Sequence, residues 1–430
     1  MDADSWYKIR TYLHFDPPVA LDTARNYVTD PKKIASHSFY PFITYNSEML
    51  KLKFDKVTGV FLKKPKERPI SYASHLDSHI YAYYCFFLSS LYESVLVEKK
   101  LDCAVLAFRS VGGKNNVHFA RDAFLEISRR SDCCVLAFDV SKFFDCLDHD
   151  ILKQSWADLL KLSKLPDDHF AVFKSITKSA SVEKNALFEA LAVSVHNPKV
   201  KGRRLCSAEI FRDVVRKASL IKSNCSSIGI PQGSPISALL SNMYMLQFDE
   251  ALNSFLTPRG AVFYRYCDDI FIVCDTLDES DVHAFVVSKI KDLKLTLQHK
   301  KTEIRHFHTD SAGKLVSDKP VHYLGFSFDG QRVHIRSSSM TRYYKKMRKR
   351  VWVSKKAMER CNRLRAERGE VPKEIFLSTI YKGYSYLGRR NFISYGYKAA
   401  RIMNSRAISK QLRPHWRKLN KLIADAVAVK

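Results

Sequence analysis

The feature that most limits how this chain can fold is a pair of adjacent aspartates set between two apolar runs. Val262-Phe263-Tyr264-Arg265-Tyr266 precedes Cys267-Asp268-Asp269, and Ile270-Phe271-Ile272-Val273 follows it. Runs of this kind joined by so short a polar step read as the two strands of a hairpin. The carboxylates then sit at its tip, held where solvent and a substrate can reach them. Paired carboxylate oxygens suit Mg²⁺, a hard cation that shares its shell with substrate phosphates. Asp-Asp is also an ordinary turn pair, so a second acidic position decides between the readings. Cys133-Cys134-Val135-Leu136-Ala137-Phe138 is a continuous apolar run with the length of a buried strand, and it delivers Asp139 at its end. A lone carboxylate beside a core strand is costly unless a partner or a metal neutralises it. Asp139, Asp268 and Asp269 together supply the carboxylates of a two-metal site, provided the two segments are neighbours in a sheet. Phosphoryl transfer is the chemistry this predicts.

A third segment, Gly229-Ile230-Pro231-Gln232-Gly233-Ser234-Pro235, packs two glycines and two prolines into seven residues. It releases into an amphipathic stretch bearing Ile236, Leu239, Leu240, Met243 and Leu246, with Ser234 as the expected N-cap and Pro235 as the first helical residue. Glycines let the backbone approach a ligand, and a helix N-terminus favours anions.

Asp139-Val140-Ser141-Lys142-Phe143-Phe144-Asp145, the Gly229 to Pro235 loop and Tyr266-Cys267-Asp268-Asp269 resemble, in order and spacing, the three central motifs of reverse transcriptases of the bacterial and group II intron kind. Leu297-Gln298-His299-Lys300-Lys301-Thr302-Glu303-Ile304 resembles the lysine-bearing motif that follows. Tyr323-Leu324-Gly325-Phe326 resembles the primer-grip hairpin, where Phe326-Ser327-Phe328 and Arg332-Val333-His334-Ile335 flank an Asp329-Gly330 turn. Upstream, Lys63-Lys64-Pro65-Lys66-Glu67-Arg68-Pro69-Ile70-Ser71 resembles the fingers segment whose basic residues hold the incoming triphosphate, and Ala107-Phe108-Arg109-Ser110 resembles the next fingers motif. The likeness covers roughly residues 55 to 335.

The resemblance implies an α+β, right-hand polymerase with fingers, an antiparallel palm packed by helices, and a helical thumb. Residues 1–132 are expected to form the fingers with an N-terminal extension, 133–335 the palm, and 336–430 the thumb. Segment 151–228 carries no assignable motif and is expected either to bind RNA or to decorate the fingers. By the same resemblance Asp139, Asp268 and Asp269, with the carbonyl of Val140, hold two Mg²⁺ ions, and Lys301 protonates the departing pyrophosphate. Arg68 and Arg109 clamp the phosphates of deoxynucleoside triphosphates, a task suited to the planar guanidinium. Phe144 excludes a 2′-hydroxyl, and Gln232 contacts the nascent pair. The plainer alternatives are a surface lysine for Lys301, a core phenylalanine for Phe144, a turn residue for Gln232 and a solvated face for Lys63 to Lys66.

Composition agrees with a polyanionic partner. The 430 residues are 46% hydrophobic, enough for a large core, and carry a formal charge of +27. From Thr341 to Lys430 there are 25 Lys and Arg against 5 Asp and Glu, which is +20 of that total. Arg342-Tyr343-Tyr344-Lys345-Lys346-Met347-Arg348-Lys349-Arg350 opens a stretch that reads as helix through about Arg368, followed by Arg389-Arg390 and Arg413-Pro414-His415-Trp416-Arg417-Lys418. Basic and aromatic residues interleave there, which suits phosphate binding with stacking. Lys345, Lys346, Arg348, Lys349, Arg350, Arg389 and Arg390 are the expected contacts to nucleic acid.

Ten cysteines occur without Cys-x-x-Cys spacing, several in apolar runs, as expected of a reducing cytosol. His306 and His308 lack a second ligand pair at zinc spacing and are expected to be surface residues. The N-terminus shows no basic-then-apolar leader, and the longest apolar stretch, Tyr81 to Tyr92, is too short to span a membrane. With the chain stopping after the basic region, no ribonuclease H, endonuclease or maturase-type domain is expected. The Asn-Ala-x-x-His and thumb Val-Thr-Gly motifs of retron enzymes are not in place; Val57-Thr58-Gly59 falls in the fingers. The chain therefore most resembles stand-alone bacterial defence-associated reverse transcriptases, by length and simplicity the type 2 members. That likeness implies a cytoplasmic enzyme in antiviral defence, with a dedicated non-coding RNA as template and DNA as product. Two rival readings are an untemplated or protein-primed DNA polymerase, and a catalytically silent RNA-binding protein or splicing helper.

Overall fold

The computed structural model describes the backbone of residues 3–54, 60–200 and 202–428, and their side chains except at 48–54 and 61–66. Lys63 to Lys66 are therefore described as backbone alone, and Val57-Thr58-Gly59 lies outside the described residues. The architecture is α+β, with largely antiparallel sheets covered by helices.

The apolar run at Cys133–Phe138 explains the centre of the molecule. It forms β3 (Asp132–Asp139), the middle of a five-stranded sheet ordered β6-β7-β3-β8-β9. Its neighbours are β6 (Val262–Tyr266), β7 (Asp269–Cys274), β8 (Glu303–Thr309) and β9 (Leu315–Ser317). Cys134, Leu136 and Phe138 pack into one core with Ile270, Ile272 and Cys274, while Cys133 and Val135 pack into another with Phe271, Val273 and Phe307. Burial on both faces is why β3 and β7 are continuously apolar. The edge strand β6 instead alternates, with Phe263 and Arg265 turned inward.

A second sheet, ordered β2-β1-β4-β5, joins β1 (Phe42–Phe54) and β2 (Phe61–Tyr72) to β4 (Ala180–Glu183) and β5 (Lys222–Ser223). Segment 151–228 is thus built into the same sheet as residues 42–72, and Val182, Leu187, Phe188, Phe211 and Val215 share a core with Phe15 and Ile43. The third sheet is β10 (Val321–Tyr323), β11 (Phe326–Phe328) and β12 (Val333–Ile335). Phe328 pairs with Val333 across a loop in which Asp329 Oδ1 accepts from the backbone of Gln331 and Arg332.

One helix exceeds what the sequence predicts. It runs from His75 to Glu98, 24 residues, and by length and composition alone is apolar enough to cross a membrane. Here Ile80, Tyr81, Leu88, Tyr92 and Leu96 pack into the main core beside the central sheet. The basic stretch forms a 30-residue helix, Ser337–Ala366, of which only Tyr343, Met347 and Val351 are buried among the described residues. Met347 and Val351 pack with Leu419 and Ile423 of the helix His415–Ala428.

Candidate active site

The hairpin forms where the sequence puts it, and its turn is tight. Tyr266 pairs with Asp269, leaving Cys267 and Asp268 as a two-residue turn. Cys267 has φ 62°, a left-handed conformation usually reserved for glycine at the first central position of such a turn. Arg265, fully buried on β6, holds it there: its guanidinium forks onto Asp249 at 2.5 and 2.6 Å and donates to Asn242 Oδ1 and the Cys267 carbonyl at 3.0 and 3.2 Å. Period-two alternation places Arg265 on the buried face beside Phe263, so the sequence contained a signal that this charge needs a partner. Its role in fixing the aspartate turn was nevertheless not read from it.

The pairing of β3 with β7 sets Asp139 directly opposite Asp269, with both side chains on one face. Backbone hydrogen bonds lock the surrounding segments. Val140 N–H donates to the Asp268 carbonyl at 3.2 Å, Ser141 N–H to Thr296 at 2.8 Å, and Gln298 N–H to the Asp139 carbonyl at 2.8 Å. Lys301, on a short turn His299–Lys301, forms an ion pair with Asp139. The Asp268 carboxyl is pushed upward in pKa by burial and by Asp139. Asp269 is raised to about 7 by desolvation and by the charges of Asp268 and Asp139, opposed by Lys301 and Arg336. Asp269 itself is exposed. Among the described residues, these three carboxylates do not each bring an oxygen within 4.8 Å of the others. Like charges repel and Lys301 claims Asp139. The donor set fits hard divalent cations: two carboxyls whose ionisation is disfavoured by each other and by burial gain most from added positive charge.

Asp139, Asp268 and Lys301, but not Asp269, open on a cleft of about 600 Å³ that Arg68, Val140, Phe144 and Gln232 also line, together with Glu67, Asp145, Ser141 and Gln298. Arg68 is exposed on β2. Phe144 is half-buried, its ring 5.6 Å from that of the buried Phe143. The Gln232 carbonyl accepts from Ser71 N–H at 2.7 Å, which ties the Gly/Pro loop to β2. Gly233 makes that approach possible: with φ 113°, a Cβ there would lie 2.5 Å from the Ser71 carbonyl oxygen. Glu67, Asp145 and the hydrogen-bonded pair Ser141 and Gln298 were not singled out from sequence, since nothing in their local pattern separates them from ordinary polar residues.

Two expectations are corrected. Arg109 does not line the cleft. Its guanidinium is 5% exposed and engaged by Glu93 at 2.6 and 2.8 Å and by the carbonyls of Asp102 and Val105, so it braces the core instead of clamping a phosphate. The helix after the Gly/Pro loop begins at Ser237, not at Pro235. Ser234 is buried with its hydroxyl unpaired, while Ser237 Oγ donates to the Pro231 carbonyl at 2.7 Å.

Of the seven cations expected to meet nucleic acid, Lys345, Lys346, Arg348 and Lys349 are exposed along the Ser337–Ala366 helix. Arg350 is half-buried and donates to Thr379 at 2.9 Å. Arg389 and Arg390 are exposed just before the helix Phe392–Ile402. None of the seven lines the cleft.

Residues 63–328 match the family described as reverse transcriptase (RNA-dependent DNA polymerase). No curated protein matches the sequence. Among solved structures, apo telomerase from Candida tropicalis lacking its C-terminal domain is similar at 12% identity and a TM-score of 0.40, covering 72% of this chain and 59% of that one. Telomerase from Candida albicans, in complex with a TWJ fragment of telomeric RNA, is similar at 13% identity and a TM-score of 0.40, covering 93% and 66%. This chain thus spans 59% and 66% of the length of those two structures. The family match and the α+β architecture make the fold that of a right-hand polymerase.

Proposed function

Since the chain belongs to the reverse transcriptase (RNA-dependent DNA polymerase) family, we propose that it extends a DNA strand on an RNA template at the cleft between Arg68 and the Asp268-Asp269 turn. The observation that carries this reading is the register that sets Asp139 opposite Asp269, with Lys301 paired to Asp139. Mg²⁺ held by Asp139, Asp268, Asp269 and the Val140 carbonyl would activate the primer 3′-hydroxyl and neutralise the departing pyrophosphate. Arg68 orients the triphosphate by bidentate hydrogen bonds. Lys301 delivers a proton to the leaving pyrophosphate oxygen. Phe144 presents its ring where a ribose 2′-hydroxyl would lie, and so favours deoxynucleotides. Gln232, fixed through its backbone to β2, rests against the nascent pair.

In this reading residues 1–132, with β4 and β5 joined to their sheet, are the fingers, 133–335 the palm, and 336–430 a thumb that grips the duplex through phosphates. The finer assignment follows the motif resemblance: a stand-alone bacterial enzyme of antiviral defence, working in the cytoplasm and copying a dedicated non-coding RNA into DNA. The test is extension of a DNA primer on an RNA template with Mg²⁺ and deoxynucleotides. Asp268→Ala/Asp269→Ala loses all synthesis and still binds RNA; undiminished synthesis in that variant would reject the site. Sequencing the RNA that co-purifies tests the dedicated template, and bulk cellular RNA without a dominant species counts against it.

A further inference from the structure

At the far end of the central sheet a second group of metal-ligating side chains comes together. Cys134 on β3 is directly opposite Cys274 on β7 and directly opposite His306 on β8. Opposed residues on neighbouring strands share a face, so the three form a row across the sheet. The helix Glu279–Asp292 packs over that face through Val282, Val286 and Ile290, and its first residue closes the row. Glu279 Oε2 lies 2.6 Å from His306 Nε2 and 3.4 Å from Cys134 Sγ. Ligand atoms of Cys134, Glu279 and His306 all fall within 4.8 Å of one another. The Cys274 thiol lies behind this group and donates to the Cys134 carbonyl at 3.8 Å. Both cysteines are fully buried, whereas the side chains of Glu279 and His306 are 30% and 50% exposed, which leaves an entry path from solvent.

We propose that Cys134, Glu279 and His306 bind a zinc ion that staples β3, β8 and the covering helix, and that the Cys274 thiol on β7 swings from the Cys134 carbonyl to complete the set. The donor set, two thiolates with an imidazole and a carboxylate, is the soft-to-borderline set that zinc takes tetrahedrally. Zinc bonds of about 2.0–2.3 Å put neighbouring donors about 3.3–3.8 Å apart, which the 3.4 Å between Glu279 and Cys134 already matches. A His–Glu ion pair accounts for the 2.6 Å contact but not for the Cys134 thiol brought to 3.4 Å from the same carboxylate. Four protein ligands make the site structural, and binding releases the two thiol protons. Cys134 precedes Asp139 by five residues on β3, about 17 Å along a strand, and projects to the opposite face. The ion therefore holds the register of the strands that carry Asp139 and Asp269 without entering the cleft. A slip of one residue would turn every side chain to the other face.

The experiment uses the full chain, purified under reducing conditions without chelator. Elemental analysis is expected to find about one zinc per chain, and cobalt exchange to give a thiolate-to-cobalt charge-transfer band. His306→Ala, a change at a half-exposed position that keeps the far-ultraviolet circular dichroism of the parent, is expected to lose most of the zinc. Cys274→Ser is expected to weaken the charge-transfer band and Cys134→Ser to abolish it, and a strong chelator to lower the Tm of the parent but not of His306→Ala. Any of three results overturns the proposal: parent protein without zinc and without the cobalt band, His306→Ala with undiminished zinc, or peptide mapping that finds Cys134 and Cys274 joined as a disulfide.

Discussion

The carboxylate cleft and the basic C-terminal region handle charge in opposite ways. In the cleft each charged group has an assigned place: Asp139 faces Asp269 across a strand pair, Lys301 meets Asp139, and Arg265 pins the turn from below. Along Ser337–Ala366 the cations Lys345, Lys346, Arg348 and Lys349 project into solvent, and position matters chiefly for the buried strip Tyr343, Met347 and Val351. In the proposed reading, chemistry on one phosphorus atom needs geometry assembled from distant strands, whereas holding a polyanion needs only a density of positive charge. Single substitutions should therefore be severe in the first region and graded in the second.

The sharpest way to break this contrast is Lys301→Ala. Loss of a positioned proton donor is expected to slow primer extension by about 10²- to 10⁴-fold, with nucleic-acid binding retained; parental rates in single-turnover assays would leave Lys301 a surface lysine. Arg265→Ala comes next. It leaves the buried Asp249 without its partner and is expected to cost about 3–5 kcal/mol of stability in denaturant titration. An unchanged midpoint would mean that the hairpin does not depend on the anchor.

The acidity of Asp269 sharpens the same comparison through pH. Raised from 3.8 to about 7, its carboxyl binds a proton more tightly in the folded chain than in the unfolded one. Its contribution to stability is present in full below about pH 4 and is lost as pH rises towards 7. In chelator the Tm of the parent should fall more between pH 5 and 8 than that of Asp269→Asn, and Mg²⁺ should recover the difference; parallel profiles would show that the carboxylates do not crowd one another. The smallest effect is expected at the helix surface. Lys345→Gln/Lys349→Gln should reduce the salt dependence of nucleic-acid binding, lowering the log–log slope by about 0.7–0.9 per lost phosphate contact, and leave synthesis at saturating template unchanged. An unaltered slope would remove these two from the interface.

Much of this was legible in the chain. Apolar runs ending in Asp139 and flanking Asp268-Asp269 announce strands and the positions of their acids, because period and length are local properties. What local pattern does not carry is the pairing partner. Nothing near Arg109 distinguishes a phosphate clamp from a core brace, since Glu93 claims it from an adjacent helix. His306 reads as a surface residue because spacing rules for zinc look for ligand pairs within one segment. It is exposed, as that reading has it, yet Cys134 and Glu279 reach it through sheet register and helix packing. Ser234 has the composition of an N-cap, but the abutment of Gly233 on Ser71 delays the helix to Ser237.

The position of β3 at the middle of its sheet also has a consequence during synthesis. Its partners β7 and β8 begin at residues 269 and 303, long after Asp139 has been added. At about 5–20 residues per second a ribosome needs on the order of ten to thirty seconds to supply them. For that interval β3 waits with neither edge paired, although the helices His75–Glu98 and Asn116–Ser128 that share its two cores are already made, so its open edges are the part of the future cleft floor that another chain could pair with.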